Sequence, residues 1–139
     1  MRDTLPSAVP EIPVQDVSKA ATYYQQRLGF RRDWGEEGIG QVSRGNCRLF
    51  LTDPAFREAY GKLGAPLVIW LNLGSRKEVD ELHAEWDSRG ARIVSKPESK
   101  PWHLHEFTAS DEDGNLLRVF YDFAWELPDG ARRSASEFE

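Results

Sequence analysis

A short pattern occurs twice in this chain. Gly45-Asn46 opens an apolar run at residues 47–51, and Gly114-Asn115 opens another at residues 116–120. The two copies lie 69 residues apart (114 − 45 = 115 − 46). Each half of the chain is therefore predicted to end in the same turn and strand. Two such units that build curved sheets facing one another would form a groove, and grooves are where small molecules bind.

The first half has the pattern of one strand, one helix and three strands. Residues 9–14 are apolar but interrupted by prolines, which is typical of an edge strand. Residues 19–28 have apolar side chains at helical spacing, between a capping Asp16 or Ser18 and the terminating Gly29. Strands are predicted at residues 30–34, 39–43 and 48–52, and a short helix at residues 53–62, which begins with Asp53-Pro54.

The second half repeats this order. A strand at residues 67–73 precedes a helix that starts at Ser75, with Glu78 completing a capping box. The second half is completed by a strand at residues 92–95, a loop at 96–101, and a hairpin of residues 103–109 and 116–123. The fold class is therefore α+β, with two tandem βαβββ modules at residues 7–53 and 66–123. We expect them to form a single domain over residues 1–125, followed by a polar tail at residues 126–139.

Composition and charge narrow the possible functions. The 139 residues, of which 40% are hydrophobic, suit one compact domain with a substantial core. A formal net charge of −5 argues against a nucleic-acid partner and favours a cationic ligand. The single cysteine cannot form an internal disulfide, and no segment has the pattern of a signal peptide or a membrane span. We therefore expect a cytoplasmic location and no membrane partner.

Residues for catalysis or cofactor binding are scarce. Cys47 lacks the surroundings of an activated thiolate, so a structural cysteine is favoured over a nucleophile. His103 and His105 alternate along a predicted strand and would point the same way. They supply two metal ligands, whereas a stable site needs three or four, so lining of a cavity is favoured over metal binding. No catalytic residue and no cofactor is expected.

Aromatic side chains are unusually frequent, with five tryptophans in the chain. Trp86 lies on the apolar stripe of its helix and is predicted to be core. Trp102 differs, because it follows a proline and precedes a strand. Asp33-Trp34 places a carboxylate beside an aromatic ring at the end of another strand. The predicted ligand-binding residues are Trp102, Trp34, Asp33, Trp70, Phe50, His103 and His105.

Several segments occur in an order that points to a family. They are residues 7–10, 14–17, 23–30 and 81–86, Pro101-Trp102 followed by Glu106-Phe107, and Asp113-Gly114-Asn115. This order resembles the bleomycin resistance proteins of the glyoxalase and extradiol dioxygenase superfamily. The resemblance covers residues 7–123 and implies paired βαβββ modules around a curved mixed-sheet groove. It implies a homodimer that exchanges its N-terminal strands around a proline, here with Val9 and Pro10 at the interface. It also implies stoichiometric capture of a large basic glycopeptide with planar rings, without chemistry.

The enzymes of this superfamily hold a divalent metal between the modules. The positions that the resemblance implies for its ligands carry Val9, Leu49 and Arg118, and residues 67–73 contain no His, Glu, Gln or Asp. We therefore predict a metal-free protein that binds a cationic aromatic antibiotic. Two alternatives stay open. One is a metal-dependent lyase, isomerase or dioxygenase of the same superfamily with displaced ligands, and the other is a small-molecule binder of unrelated specificity.

Overall fold

The computed structural model of the protein describes residues 3–62 and 64–128. Strand, helix and three strands follow one another twice, so the predicted α+β fold of two tandem βαβββ modules is confirmed. The elements are β1 (Glu11–Pro13), α1 (Val17–Leu28), β2 (Arg31–Glu36), β3 (Ile39–Arg44), β4 (Cys47–Thr52), α2 (Pro54–Ala59), β5 (Val68–Asn72), α3 (Arg76–Ser88), β6 (Arg92–Ser99), β7 (Leu104–Ser110), β8 (Leu116–Asp122) and a 3₁₀ turn at Phe123–Glu126.

The first compact unit contains the described residues up to Leu67 together with a turn at residues 111–115. Its sheet has the order β1-β4-β3-β2, in which β1 runs parallel to β4 and the other neighbours are antiparallel. Helix α1 packs on one face of this sheet. Tyr24 and Leu28 of the helix and Leu49 and Leu51 of β4 are fully buried there. Because strand side chains alternate, the opposite face carries the residues between them.

The second compact unit contains residues 68–110 and the described residues from Leu116 onward. Its sheet has the order β5-β8-β7-β6, and α3 packs on one face. Trp86 of α3 is 1% exposed, and its ring lies 5.6 Å from that of Phe107 in an edge-to-face contact. The prediction that Trp86 belongs to the core is therefore confirmed.

The repeated Gly-Asn dipeptide lies in a hairpin connection in both halves, but the prediction of the same turn is wrong. Two residues separate the paired Arg44 and Cys47, whereas five separate the paired Ser110 and Leu116. Gly45 has φ = 57° and Gly114 has φ = 87°, in the left-handed region that glycine tolerates best. Gly29 also has a positive φ, 74°, where it ends α1. The repeat in the sequence therefore marks two connections that share only a left-handed glycine.

The predicted helix starts agree with the structure. Asp16 accepts a hydrogen bond from the Lys19 backbone N–H at 3.0 Å, so Asp16 rather than Ser18 caps α1. Ser75 accepts from the Glu78 N–H at 3.1 Å at the start of α3. These side chains satisfy N–H groups that the first turn of a helix leaves unpaired.

Several boundaries differ from prediction, among them those of β6, β7 and α2. Strand β6 continues through Pro97 to Ser99, where a loop was expected, because an edge strand can carry a proline on its unpaired side. Strand β7 begins at Leu104, so His103 precedes it and has φ = 71°. Helix α2 ends at Ala59 rather than at residue 62. Of the predicted tail, Glu126 lies in the 3₁₀ turn, and residues 129–139 lie outside the described residues.

The turn at residues 111–115 forms a buried polar network in the first unit. Asp111 is 1% exposed and accepts hydrogen bonds from the Tyr24 hydroxyl at 2.8 Å and from the Asn115 side chain at 2.9 Å. Its other oxygen accepts from the backbone N–H groups of Asp113 and Asn115. Burial and the adjacent Asp111 charge raise the pKa of Tyr24 well above its usual value.

Asn115 also ties the turn to the strands of this unit. Its Nδ2 donates to the Pro13 carbonyl at 2.9 Å, and its Oδ1 accepts from the Leu67 N–H at 2.8 Å. The side chain of Asp113 accepts from the Gln15 N–H at 3.0 Å. The contacts with Pro13 and Gln15 join chain segments about a hundred residues apart (115 − 13 = 102 and 113 − 15 = 98).

Among the described residues, no helix is both long and apolar enough to cross a lipid bilayer.

Candidate ligand-binding site

A row of side chains crosses the first sheet on the face opposite α1. Register pairs Glu11 with Phe50, Phe50 with Gln41, and Gln41 with Trp34. The Trp34 ring lies 5.7 Å from the Phe50 ring, and 44% of the residue remains exposed. An aromatic side chain so exposed on a sheet face can stack against a ligand. Two predicted ligand-binding residues, Trp34 and Phe50, are thus neighbours.

Asp33 stands beside this row because β2 is irregular. The pairing register shifts between Arg32 and Trp34, which leaves Asp33 as the extra residue. Gln41 Nε2 donates to Asp33 Oδ2 at 2.9 Å. This hydrogen bond, with a second from Ser43, lowers the pKa of Asp33. The carboxylate therefore stays charged at neutral pH, and Arg31 Nε lies 3.7 Å from its Oδ1.

A cavity of about 450 Å³ also lies in the first unit, beside the start of α1. It lies on the α1 side of the sheet, so it adjoins Trp34 on the face opposite the contact between the Trp34 and Phe50 rings. Such a volume is within the range of small-molecule sites. Its lining consists of Val17, Ser18, Ala21, Arg32, Trp34, Gly35, Glu36 and Gly40.

The second sheet carries a separate aromatic and charged cluster. Trp70 on β5 is paired in register with Arg118 on β8, and the Arg118 guanidinium carbon lies 4.2 Å from the Trp70 ring centroid. The Phe120 ring lies 5.6 Å from the Trp70 ring. Trp70 is nevertheless 46% exposed. Its ring is held by a cation–π contact and still reaches solvent.

Glu106 connects this cluster to Trp102. Glu106 is 2% exposed, forms an ion pair with Arg118 and accepts a hydrogen bond from Trp102 Nε1–H at 3.1 Å. Half of the surface of Trp102 remains exposed. A buried carboxylate requires such partners, because burial without them is costly. Glu106 therefore orients the Trp102 ring and is itself covered.

The role of Glu106 was not among the predictions. Arg118, which the sequence marks only as unable to bind metal, contacts both Glu106 and Trp70. The spacing of Trp102 and Glu106 gave no signal for this contact, because Trp102 precedes β7 and the pairing depends on how that segment folds back.

The two predicted histidines do not share a strand face. His103 precedes β7, and its ring contacts that of Phe123 at 5.6 Å between centroids. The His105 Nε2 atom lies 2.8 Å from Asp80 Oδ1, and its Nδ1 lies 2.9 Å from Ser99 Oγ. The assumption that both imidazoles alternate along one strand is therefore wrong. Their roles in ligand binding stay predictions.

The predicted interface residues lie next to β1. The Pro10 carbonyl accepts a hydrogen bond from the Phe50 N–H at 3.0 Å, and both Val9 and Pro10 are half-buried. Strand β1 is only three residues long and lies at the edge of its sheet. A contact of these residues with a second subunit remains a prediction.

The residues present do not fit the divalent metal of the superfamily's enzymes. Arg118 is a cation at an expected ligand position, and its register partner is Trp70, which offers no metal-binding atom. On β1, Glu11 forms an ion pair with Lys62 at 2.7 Å and accepts a hydrogen bond from Thr52. Over residues 3–62 and 64–128, no three His, Cys, Asp or Glu side chains are grouped to hold a metal ion.

Comparison with solved structures confirms the fold. A glyoxalase/bleomycin resistance protein/dioxygenase from Nocardioides superposes with a TM-score of 0.72 at 19% identity, over 86% of this chain and 85% of that one. A lactoylglutathione lyase from Agrobacterium tumefaciens gives 0.66 at 20% identity, over 89% and 100%. A bleomycin-binding protein complexed with bleomycin gives 0.66 at 24% identity, over 84% and 98%.

A search of curated proteins gave no significant match. Residues 6–119 match the family model described as glyoxalase/bleomycin resistance protein/dioxygenase superfamily. This match covers most of the chain and agrees with the order of strands and helices. The chain therefore belongs to the glyoxalase/bleomycin resistance protein/dioxygenase superfamily.

Proposed function

We propose that this protein sequesters a planar, cationic antibiotic of the bleomycin type by stoichiometric binding, without making or breaking a bond. One observation carries the proposal. Trp34, Trp70 and Trp102 lie on or beside the sheets with 44%, 46% and 50% of their surfaces exposed. Tryptophan is usually well buried, so three exposed rings that are held in place by neighbouring side chains are suited to stacking against a ligand.

The supports under these rings favour a rigid binding surface. Trp102 is oriented by Glu106, Trp70 by Arg118, and Trp34 by contact with Phe50. Side chains that are already ordered lose less conformational entropy when a ligand binds. Planar rings of a ligand would then stack on surfaces that need little rearrangement.

The two carboxylates near these rings have different proposed roles. Asp33 keeps its negative charge beside Trp34, where a cationic group of the ligand would be attracted. Glu106 is covered and neutralised by Arg118, so we assign it to orienting Trp102 rather than to contacting a cation. The net charge of −5 would mainly accelerate encounter with a cationic drug.

The superfamily contains enzymes as well as binding proteins, so the fold leaves the choice open. The misfit of Arg118 and Trp70 to a metal favours binding over metal-dependent catalysis. The structural likeness to a bleomycin-binding protein is consistent with this choice. We further propose a homodimer with Val9 and Pro10 at its interface, because β1 is a short edge strand that a second chain could replace.

A titration of the purified protein with metal-free and copper-bound bleomycin tests the proposal. Quenching of tryptophan fluorescence should saturate at one drug per subunit with a sub-micromolar Kd, about −8 kcal/mol or better. Trp102→Ala should raise the Kd roughly 30-fold, the loss of about 2 kcal/mol typical of a tryptophan hot spot. Glu106→Gln should raise it less, because the ring remains but loses its charged acceptor.

Trp125→Ala is the matched control, since Trp125 is 73% exposed in the 3₁₀ turn, outside the strands. Its Kd should stay within about twofold of the parent value. Analytical ultracentrifugation of the same samples reports the oligomeric state. Absence of quenching at high micromolar drug, or equal losses for Trp102→Ala and Trp125→Ala, would exclude the proposed site.

A further inference from the structure

Three side chains in the second unit form a hydrogen-bonded line that includes His105 but none of the three exposed tryptophans on which the proposed drug site rests. The Ser99 Oγ lies 2.9 Å from His105 Nδ1, and His105 Nε2 lies 2.8 Å from Asp80 Oδ1. We propose that this set is a second functional site, in which Ser99 is a nucleophile that accepts an acyl group from an activated ester. A nucleophile bonded to a base that a third group orients is the arrangement that activates a hydroxyl.

The three residues come together on the helix-facing side of the second sheet. His105 lies on the same face of β7 as Phe107, whose ring contacts His83 and Trp86 of α3. Asp80 comes from α3, next to the fully buried Val79. The base is therefore held between a strand and a helix, both fixed by core contacts.

Irregular pairing brings Ser99 to His105. At the start of β6, Arg92 pairs with Ser110 and Ile93 with Ala109, a register that would place Pro97 opposite His105 (92 + 110 − 105 = 97). Two register shifts, between Ile93 and Ser95 and between Ser95 and Glu98, move Ser99 into that place instead. β-Bulges commonly re-aim a side chain in this way.

The chemistry of Asp80 selects the tautomer of His105. An ionised carboxylate only accepts hydrogen bonds, so His105 Nε2 carries the proton that Asp80 receives. In neutral imidazole, Nδ1 is then an acceptor, and it faces the Ser99 hydroxyl. In that neutral tautomer, Nδ1 is within hydrogen-bond reach of the proton it would remove from Ser99.

The exposed fractions of the three side chains are consistent with a shielded base and an accessible nucleophile. The His105 side chain is 13% exposed, whereas Asp80 is 57% exposed and Ser99 is an exposed residue at the edge of the sheet. A base shielded from water keeps a defined hydrogen bond, and a nucleophile at the surface can meet a carbonyl group. The site suits small aryl esters, which reach an exposed edge without a deep pocket.

The reaction transfers an acyl group in two balanced steps. Ser99 Oγ bonds to the carbonyl carbon while His105 Nδ1 takes the hydroxyl proton. The bond from carbon to the aryl oxygen then breaks, and the phenol leaves with that proton, which returns His105 to its neutral form. Water attacks the acyl carbon and gives a proton to His105 Nδ1. The bond from that carbon to Ser99 Oγ breaks, and Oγ takes the proton back from His105 as the carboxylic acid is released.

The test uses p-nitrophenyl acetate with the full-length protein. We expect a burst of one nitrophenolate per chain, one acetyl group on Ser99 by peptide mass spectrometry, and then slow turnover. Ser99→Ala should abolish the burst. His105→Gln should slow acylation roughly 100-fold, the lower range for general base catalysis. Ser95→Ala, an exposed serine on the same strand, should leave the burst unchanged.

Asp80 is a positioning residue, so its variant needs a readout beyond rate. Asp80→Asn can donate to His105 Nε2, which would move the ring proton to Nδ1 and block acceptance from Ser99. We expect slower acylation together with a change of His105 tautomer in the ¹⁵N NMR spectrum. A conserved tautomer with unchanged acylation would contradict the assignment.

An equal burst in wild type and Ser99→Ala, or acetyl groups on Lys96 or Lys100 but not on Ser99, would overturn the proposal. The bleomycin titration separates it from the drug site. Ser99→Ala leaves Trp102 in place and should retain the parent Kd for drug, whereas Trp102→Ala should retain the burst.

Discussion

Replacing Tyr24 with phenylalanine isolates the bond between α1 and the turn at residues 111–115. The substitution keeps the ring, which is fully buried and in edge-to-face contact with Phe30 at 5.5 Å. It removes only the hydroxyl that donates to Asp111 Oδ2 at 2.8 Å. The change in stability therefore reports this hydrogen bond and little else.

The expected loss follows from the surroundings of Asp111. A hydrogen bond to a charged group contributes about 1.5–3 kcal/mol, and a buried carboxylate that loses a donor cannot recruit water in its place. Asp111 keeps the two backbone N–H donors of Asp113 and Asn115 and the Asn115 side chain. We therefore expect a loss of about 2 kcal/mol in the free energy of unfolding.

Urea denaturation followed by far-UV circular dichroism measures the loss. With an m-value of about 2 kcal/mol/M, the midpoint should fall by roughly 1 M. Tyr121→Phe is the matched control, because its hydroxyl lies 3.5 Å from Glu126 on the surface. That change should cost less than about 0.5 kcal/mol.

A double-mutant cycle with Asp111→Asn completes the test. If the bond is as described, the two substitutions should be non-additive by about 1–2 kcal/mol. A Tyr24→Phe loss no larger than that of Tyr121→Phe, or full additivity with Asp111→Asn, would refute the claim that this bond stabilises the first unit.

Three other perturbations address ionisation, reactivity and the core. The raised pKa of Tyr24 means that the folded protein holds the phenol proton more tightly than the unfolded chain. The contribution of Tyr24 to the free energy of unfolding is complete below about pH 10 and falls by about 1.4 kcal/mol per pH unit above it. Between about pH 9 and 11, the free energy of unfolding should therefore fall less steeply in Tyr24→Phe than in the parent protein. Burial raises the pKa of the Cys47 thiol, so a disulfide reagent such as DTNB should react slowly at pH 7.5 and rapidly once urea unfolds the protein. Trp86→Ala should cost about 3–5 kcal/mol by urea unfolding, and Trp125→Ala less than about 1 kcal/mol.

Local signals in the sequence predicted much of the fold. Asp16, Ser75 and the glycines of the repeated dipeptide impose backbone requirements within four residues of themselves, and each has the predicted role. Trp86 was assigned to the core from helical spacing, which depends only on its neighbours along the chain. Such features need no knowledge of the partner strand.

Features that depend on distant pairing escaped prediction. The two bulges in β6 depend on its register with β7, and the local sequence around Pro97 predicts only a loop. Trp34 and Trp102 could be named as candidates from their positions beside strands, but Glu106 and Arg118 could not be paired. Their contact requires the register of β7 with β8, which joins residues twelve positions apart (118 − 106 = 12).

Because the turn at residues 111–115 belongs to the first compact unit, the first repeat depends on the second half of the chain to complete its hydrogen bonds. A chain made of the first repeat alone would lack the Asp111 acceptor for Tyr24 and the Asn115 donor for the Pro13 carbonyl. The Tyr24 hydroxyl and the Pro13 carbonyl would then each lose a hydrogen-bond partner. A protease cut near residues 61–66 should therefore yield fragments that co-purify, and an expressed N-terminal half should regain helical content only when the C-terminal half is added.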